Sequence, residues 1–224
     1  MKTVYLVRHA KAIERDSSTP DFERYLIKQG KNESIVMAKI LKGKNAIPDI
    51  VLSSPAKRAI ETAQIFSKIL EYPLKEIKLA DAVYEASAKQ LMEVISKVNN
   101  KYNDLMLFGH EPSLSECAVY LLKDFKNILP KSGVICMEFK KDSWRSISKG
   151  QGILKYFDFP PEKVRKSEKF KIIKKNTVNK LNEKIIEALK EVDSDVAKDL
   201  TGYVEKMSKK ITKHFVKIVK KSNS

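Results

Sequence analysis

Arginine is scarce in this chain relative to its charge. Of 44 basic residues among 224, only six are arginine, so lysine carries the general surface charge. Each arginine is then worth placing individually, because its planar fork of donors matches a phosphate in a way an ammonium does not. Cysteine is scarce too. Cys117 and Cys136 sit among apolar neighbours and follow no metal-ligand spacing. They read as buried reduced thiols in a reducing, cytoplasmic compartment. No apolar run approaches a membrane span, and the short run at 4–7 is below the length of a signal-peptide core, so no membrane role is expected.

What is present describes a globular chain. With 42% hydrophobic and 32% charged residues, it can bury one sizeable core and carry an appendage. The net charge of +16 is uneven. Residues 162–224 hold 18 basic and 9 acidic residues, net +9, whereas the preceding 161 hold 26 and 19, net +7.

Apolar periodicity gives the elements. Residues 2–7 read as a buried strand, 32–41 as a helix, 50–52 as a strand and 56–70 as a helix. Pro55 suits that helix's first turn, with Ser54 as its N-cap. Residues 91–98 read as a helix, 105–108 as a strand and 114–122 as a helix. Residues 133–139 and 144–147 read as two antiparallel strands turning at Lys141-Asp142. Such alternation implies an α/β fold, a three-layer α/β/α sandwich with a mostly parallel sheet. Ligands of such sheets bind beyond the carboxyl ends of the strands.

Three segments meet that rule: Arg8-His9 after the first strand, Ser54 to Arg58 after the second, and Gly109-His110 after a later one. His214 stands apart in a lysine-rich helix and reads as structural. Arg8 alone would pass for a surface residue, and Arg58 for a partner of Glu61 on its own helix. Taken together with His9, His110 and a helix N-terminus that favours anions, they describe a phosphate pocket. No paired aspartates, HExxH motif or cysteine cluster lies near these ends. No metal or cofactor is expected, and positive side chains must neutralise the phosphoryl charge.

VRHAKA at 7–12, SSPAKRAIETA at 53–63 and FGHEP at 108–112 resemble, in order and rough spacing, the histidine phosphatase superfamily. Within it they resemble the small SixA-type phosphohistidine phosphatases, over about residues 1–155. DFERYLIKQG at 21–30 resembles the family segment D..RPLT..G, with Tyr25 and Ile27 where Pro and Thr are usual, and Ala10 stands where many relatives have Gly. The resemblance implies a phosphatase with His9 as the nucleophile that becomes phosphorylated, and Arg8, Arg58 and His110 around the phosphoryl oxygens. Arg24 and Ser54 would help bind substrate, and Glu85 would be the general acid. Glu85 reads equally well as a residue starting the following helix. The substrate would be a phosphohistidine protein, or alternatively a small phosphate ester or nucleotide.

Residues 1–160 thus form the expected catalytic domain and 161–224 a basic extension. Apolar residues there recur at intervals of three and four, from Val178 to Val192 and from Val196 to Ile218, which predicts a C-terminal helical hairpin broken at Asp193-Ser194-Asp195. Its apolar stripe is expected to pack on the catalytic domain or to form a homodimer. Few aromatics lie among its lysines and arginine is nearly absent, which argues against nucleic acid. A binding module whose basic helices dock on nucleic acid or an acidic partner is the reading of another class.

Overall fold

The computed structural model describes residues 1–15, 18–192 and 194–221; in the last helices, the described side chains are those of 162, 164, 178–191, 195 and 197–213. The chain divides into two compact units, Met1–Pro161 and Glu162–Ser224.

The first unit is built on a six-stranded sheet. Its strands are β1 (Lys2–Arg8), β2 (Ile50–Ser53), β3 (Lys78–Leu79), β4 (Asp104–Gly109), β5 (Val134–Phe139) and β6 (Ile153–Asp158). Their order is β3-β2-β4-β1-β5-β6. β1 and β2 both run parallel to β4, which lies between them, and β5 is antiparallel to β1 and to β6. Helices α1 (Lys28–Gly43), α2 (Lys57–Ile69), α3 (Ala88–Ser96) and α4 (Ser113–Leu121) cover the sheet. Strand alternation divides the core in two. Val4, Leu6, Leu105 and Leu107 pack with Leu91, Ile95, Leu114 and Leu121 of α3 and α4. Tyr5, Val7, Met106 and Phe108 pack on the other face with Met37, Leu41, Ala63 and Phe66 of α1 and α2. A central parallel strand buried on both faces must be apolar at consecutive positions, and this explains the runs at 4–7 and 105–108. The fold is the expected three-layer α/β/α sandwich.

Two local expectations are corrected. Residues 144–146 form a 3-10 turn, not a strand: Trp144 is fully buried and its indole Nε1–H donates to the Tyr102 carbonyl at 3.0 Å, anchoring the turn. The partner of β5 is instead β6, an edge strand whose Ile153 and Leu154 are exposed, so it lacks the burial alternation that reveals a strand. Ser54 is not the N-cap of α2. That helix starts at Lys57 with Ala56 in the cap position, and no side chain closes it.

The second unit consists of α5 (Glu162–Val192) and α6 (Ser194–Lys221), which pack on each other. α5 takes in the charged stretch that precedes the apolar stripe, and the expected break at Asp193 lies outside the described residues. The buried line of α6 differs from the expected one. Ala197, Val204, Ser208 and Thr212 are buried, whereas Leu200, Tyr203 and Ile211 are exposed. Small side chains allow close helix approach, and the larger residues sit around the helix from that seam. Among the described residues no helix is long and apolar enough to cross a membrane.

Candidate active site

Backbone pairing brings three strand ends to one edge. Arg8 stands opposite Gly109 in the β1–β4 register, and the His9 N–H donates to the Gly109 carbonyl at 3.1 Å. The Ser54 N–H donates to the Phe108 carbonyl at 2.9 Å, which ties the exit of β2 to that of β4. His9 and His110 consequently lie with ring centroids 5.0 Å apart, both almost fully buried.

Each ring is oriented by its neighbours. His9 Nδ1 lies 2.8 Å from the Ala10 carbonyl oxygen. A carbonyl only accepts, so Nδ1 carries the proton and Nε2 is left as a lone-pair nitrogen. The Ala10 N–H donates to Thr62 Oγ1 at 3.0 Å, and the Thr62 hydroxyl donates to the Arg58 carbonyl at 2.7 Å. The loop after β1 is thereby fastened to the first turn of α2. Ala10 is fully buried and its φ is not positive, so a methyl group fits where many relatives have none. His110 Nε2 lies 2.8 Å from Ser54 Oγ, which already accepts from the Ala56 N–H at 3.3 Å. The Ser54 hydroxyl offers Nε2 both a proton and a second lone pair, so this contact fixes the plane of the ring with either nitrogen protonated.

The arginines are held in the same way, from one side. Arg8 Nη1 donates to the Leu129 carbonyl at 2.8 Å. Arg58 donates through Nη1 to the Asp21 carbonyl and through Nη2 to Asp21 Oδ2 at 2.8 Å. It does not pair with Glu61, whose Oε2 accepts from the Leu26 N–H at 2.7 Å. Arg24 donates to Asp21 Oδ1 through Nε at 3.0 Å and Nη2 at 2.8 Å, and through Nη1 to the Ile13 carbonyl at 2.9 Å. Among the described residues, Arg8 Nε, Arg58 Nε and His110 Nδ1 are buried without a partner, as are Glu111 Oε1 and Ser132 Oγ nearby in the chain. Buried arginine N–H groups without an acceptor are costly unless a bound group accepts from them.

Electrostatics favours neutral rings among fixed cations. Burial, reinforced by His110, Arg58 and Arg8, lowers the His9 pKa to about 2 against one opposing hydrogen bond. Burial and Arg58 lower that of His110 to about 4. Burial also lowers the Arg8 pKa. Burial alone would raise the Asp21 carboxyl, but Arg58 and Arg24 outweigh it and hold the carboxyl below its usual range. Among the described residues no group of three or more His, Cys, Asp or Glu could hold a metal ion.

The structure therefore brings Arg8, His9, Arg58 and His110 together, with Ser54 supporting His110. Arg24 joins through Asp21. Glu85 is exposed, with φ at 52°, two residues ahead of Ser87, which caps α3 with a reciprocal Ser87–Gln90 pair. Its neighbour Tyr84 turns inward instead: the ring packs edge-on against His110 at 5.7 Å, and the hydroxyl donates to Asp21 Oδ2 at 3.2 Å. The side chain of His214 is not among the described ones. Sequence reasoning missed Asp21, Thr62 and Tyr84. Thr62 lies one helical turn from Arg58, and Asp21 three residues from Arg24, so spacing carried a signal for both. Nothing in the sequence marks Tyr84.

A mostly parallel α/β/α sandwich that gathers two histidines and two arginines at its strand ends defines the class, an α/β protein of the doubly covered type. Comparison makes it particular. The chain belongs to the histidine phosphatase superfamily (branch 1), whose family model matches residues 4–123. An uncharacterized chloroplastic protein of Arabidopsis thaliana is 29% identical over 128 residues, 54% of this chain and 59% of that protein. An uncharacterized protein of Mycobacterium tuberculosis is 30% identical over 115 residues, 51% of this chain and 69% of that protein. This chain thus spans well under two thirds of the plant relative. The fold is similar to that of SixA from Agrobacterium tumefaciens, with a TM-score of 0.60 at 24% identity over 71% of this chain and 99% of the other. It is also similar to the protein histidine phosphatase SixA complexed with tungstate, with a TM-score of 0.61 at 21% identity over 70% and 97%.

Proposed function

We propose that this protein is a phosphatase that works through a phosphorylated His9 and that its substrate is a phosphohistidine protein. The observation that carries the reading is an imidazole with its proton fixed on Nδ1 beside three buried, unpartnered atoms, Arg8 Nε, Arg58 Nε and His110 Nδ1.

In the first step His9 Nε2 attacks phosphorus, the bond to the leaving group breaks, and the leaving group takes a proton. The phosphorylated imidazolium keeps its Nδ1–H on the Ala10 carbonyl. In the second step water attacks phosphorus, loses a proton and releases phosphate, which returns His9 to its starting form. Arg8, Arg58 and His110 hold the equatorial oxygens, where charge is spread in the transition state, without recourse to a metal. Arg24 and Ser54 serve binding through the groups they support. Glu85 is the candidate proton donor, needed more for an alkoxide leaving group than for an imidazole, which leaves readily.

The likeness to the protein histidine phosphatase SixA supports a phosphohistidine substrate. A small ester is the second reading, favoured by the phosphoserine phosphatase of Entamoeba histolytica, similar with a TM-score of 0.50 at 17% identity over 70% of this chain and 96% of the other.

The test is turnover by the wild type and His9→Ala, with EDTA, on a phosphohistidine protein and on an aryl phosphate. The wild type should hydrolyse the phosphohistidine and survive EDTA, and His9→Ala should lose activity. Loss of wild-type activity in EDTA, or activity retained by the variant, removes the mechanism. Hydrolysis of the ester alone moves the substrate to the second reading. Glu85→Gln should slow the ester and spare the phosphohistidine.

A further inference from the structure

We infer that Asp21 is a positioning residue of this site: its carboxylate and carbonyl hold Arg58 from behind and couple it to Arg24 and Tyr84, so that phosphate meets a preformed clamp. The inference rests on the phosphatase reading and adds to it a residue whose side chain never touches the phosphoryl group.

The pattern of bonds distinguishes holding from filling. A carboxylate occupying an empty phosphate site would take the donors that phosphate needs. Asp21 instead takes only the two terminal nitrogens of Arg58, through its carbonyl and Oδ2, and leaves the buried Nε without a partner. Oδ1 binds Arg24 through two nitrogens, and the Tyr84 hydroxyl shares Oδ2. One side chain thus closes a chain of contacts from the loop after β1, reached through Arg24 and Ile13, to α2 at Arg58 and on to the Tyr84 ring that packs against His110.

Charge leads to the same assignment. Asp21 sets one negative charge between Arg24 and Arg58, and both of them keep its carboxyl ionised. An arginine prefers a bidentate planar partner, so a fixed carboxylate at its far end also fixes the plane in which its remaining N–H bonds point. Preorganisation of this kind saves the entropy of ordering the clamp when the substrate arrives.

The test measures tungstate binding by thermal shift, and kcat and KM on an aryl phosphate, for the wild type, Asp21→Ala, Asp21→Asn and Tyr84→Phe. Loss of a charge-assisted hydrogen-bond pair should weaken tungstate binding and lower kcat/KM for Asp21→Ala by on the order of ten- to a hundredfold. Asp21→Asn, which keeps an acceptor for Arg58 but loses the charge, should recover part of both. Tyr84→Phe keeps the ring on His110 and should cost only about two- to fivefold. Should Asp21→Ala fail to fold, Asp21→Asn and Tyr84→Phe carry the same comparison. Tungstate binding as tight as the wild type's, or tighter, in the Asp21 variants would show a placeholder and overturn the inference while leaving the phosphatase reading intact. A wild type that neither binds tungstate nor turns over phosphate would overturn both.

Discussion

At the scale of single residues, the site depends on keeping two imidazoles uncharged among three arginines. His9 and His110 are buried deeply enough that their pKa values fall from 6.5 to about 2 and about 4. This shifts the acid limb to lower pH than that of an exposed catalytic histidine, which would lose its lone pair as pH falls through about 6.5. The acid limb of kcat/KM should therefore lie nearer 4 than 6.5, once the ionisation of the substrate phosphate has been allowed for. Stability should behave differently. Below 6.5 the unfolded chain takes up protons that the folded rings refuse, so folding stability is complete above 6.5 and declines as pH falls from there toward 4. Thermal denaturation and steady-state rates measured from pH 4 to 8 check both. An activity midpoint at 6.5 in the free enzyme would show that the rings are not neutralised by burial.

At the scale of elements, sequence revealed what burial makes periodic and hid what single side chains decide. The runs at 4–7 and 105–108 were legible because a central strand with helices on both faces must be apolar throughout, and with them came Arg8-His9 and Gly109-His110 at their exits. β6 was illegible because an exposed edge strand carries no such pattern, and Tyr84 because its place depends on a tertiary contact with Asp21. The segment 21–30 shows both cases. Gly30 has a backbone cause: a Cβ there would lie 2.1 Å from the Lys11 carbonyl oxygen, so α1 approaches the loop after His9 as closely as it does only without a side chain. Ile27 has a cost. It occupies the N-cap of α1 in an extended conformation, and no side chain caps the helix. A Thr hydroxyl at this position could accept a free N–H of the first turn, so Ile27→Thr should stabilise the fold by about 0.5–1 kcal/mol. Chemical denaturation reads this as a higher midpoint at unchanged slope, and an unchanged or lower midpoint would mean that the packing of Ile27 outweighs the missing cap.

At the scale of the whole molecule, the net charge of +16 is most concentrated in the second unit, and there it is polarised. Residues 162–177 carry seven basic and two acidic residues, and 206–221 carry seven basic and none acidic, while 178–205 between them carry four and seven. α5 and α6 pack on each other, and in the sequence the two basic segments are the parts of this unit farthest from position 193. Together those two segments hold a net +12, and the segment between them a net −3. A field of this kind acts on association with large acidic partners and is screened over about 8 Å at physiological ionic strength. A small aryl phosphate presents no extended acidic surface to it, whereas an acidic phosphoprotein does. Raising salt from about 50 to about 300 mM should therefore lower kcat/KM by about tenfold or more for an acidic phosphohistidine protein, and by only about twofold for an aryl phosphate. Exchanging Lys206, Lys209, Lys210 and Lys213 for Gln should flatten the first curve and leave the second unchanged. Equal salt slopes for the two substrates would mean that the pocket's own arginines account for the whole effect, and that the basic helices do not recruit substrate.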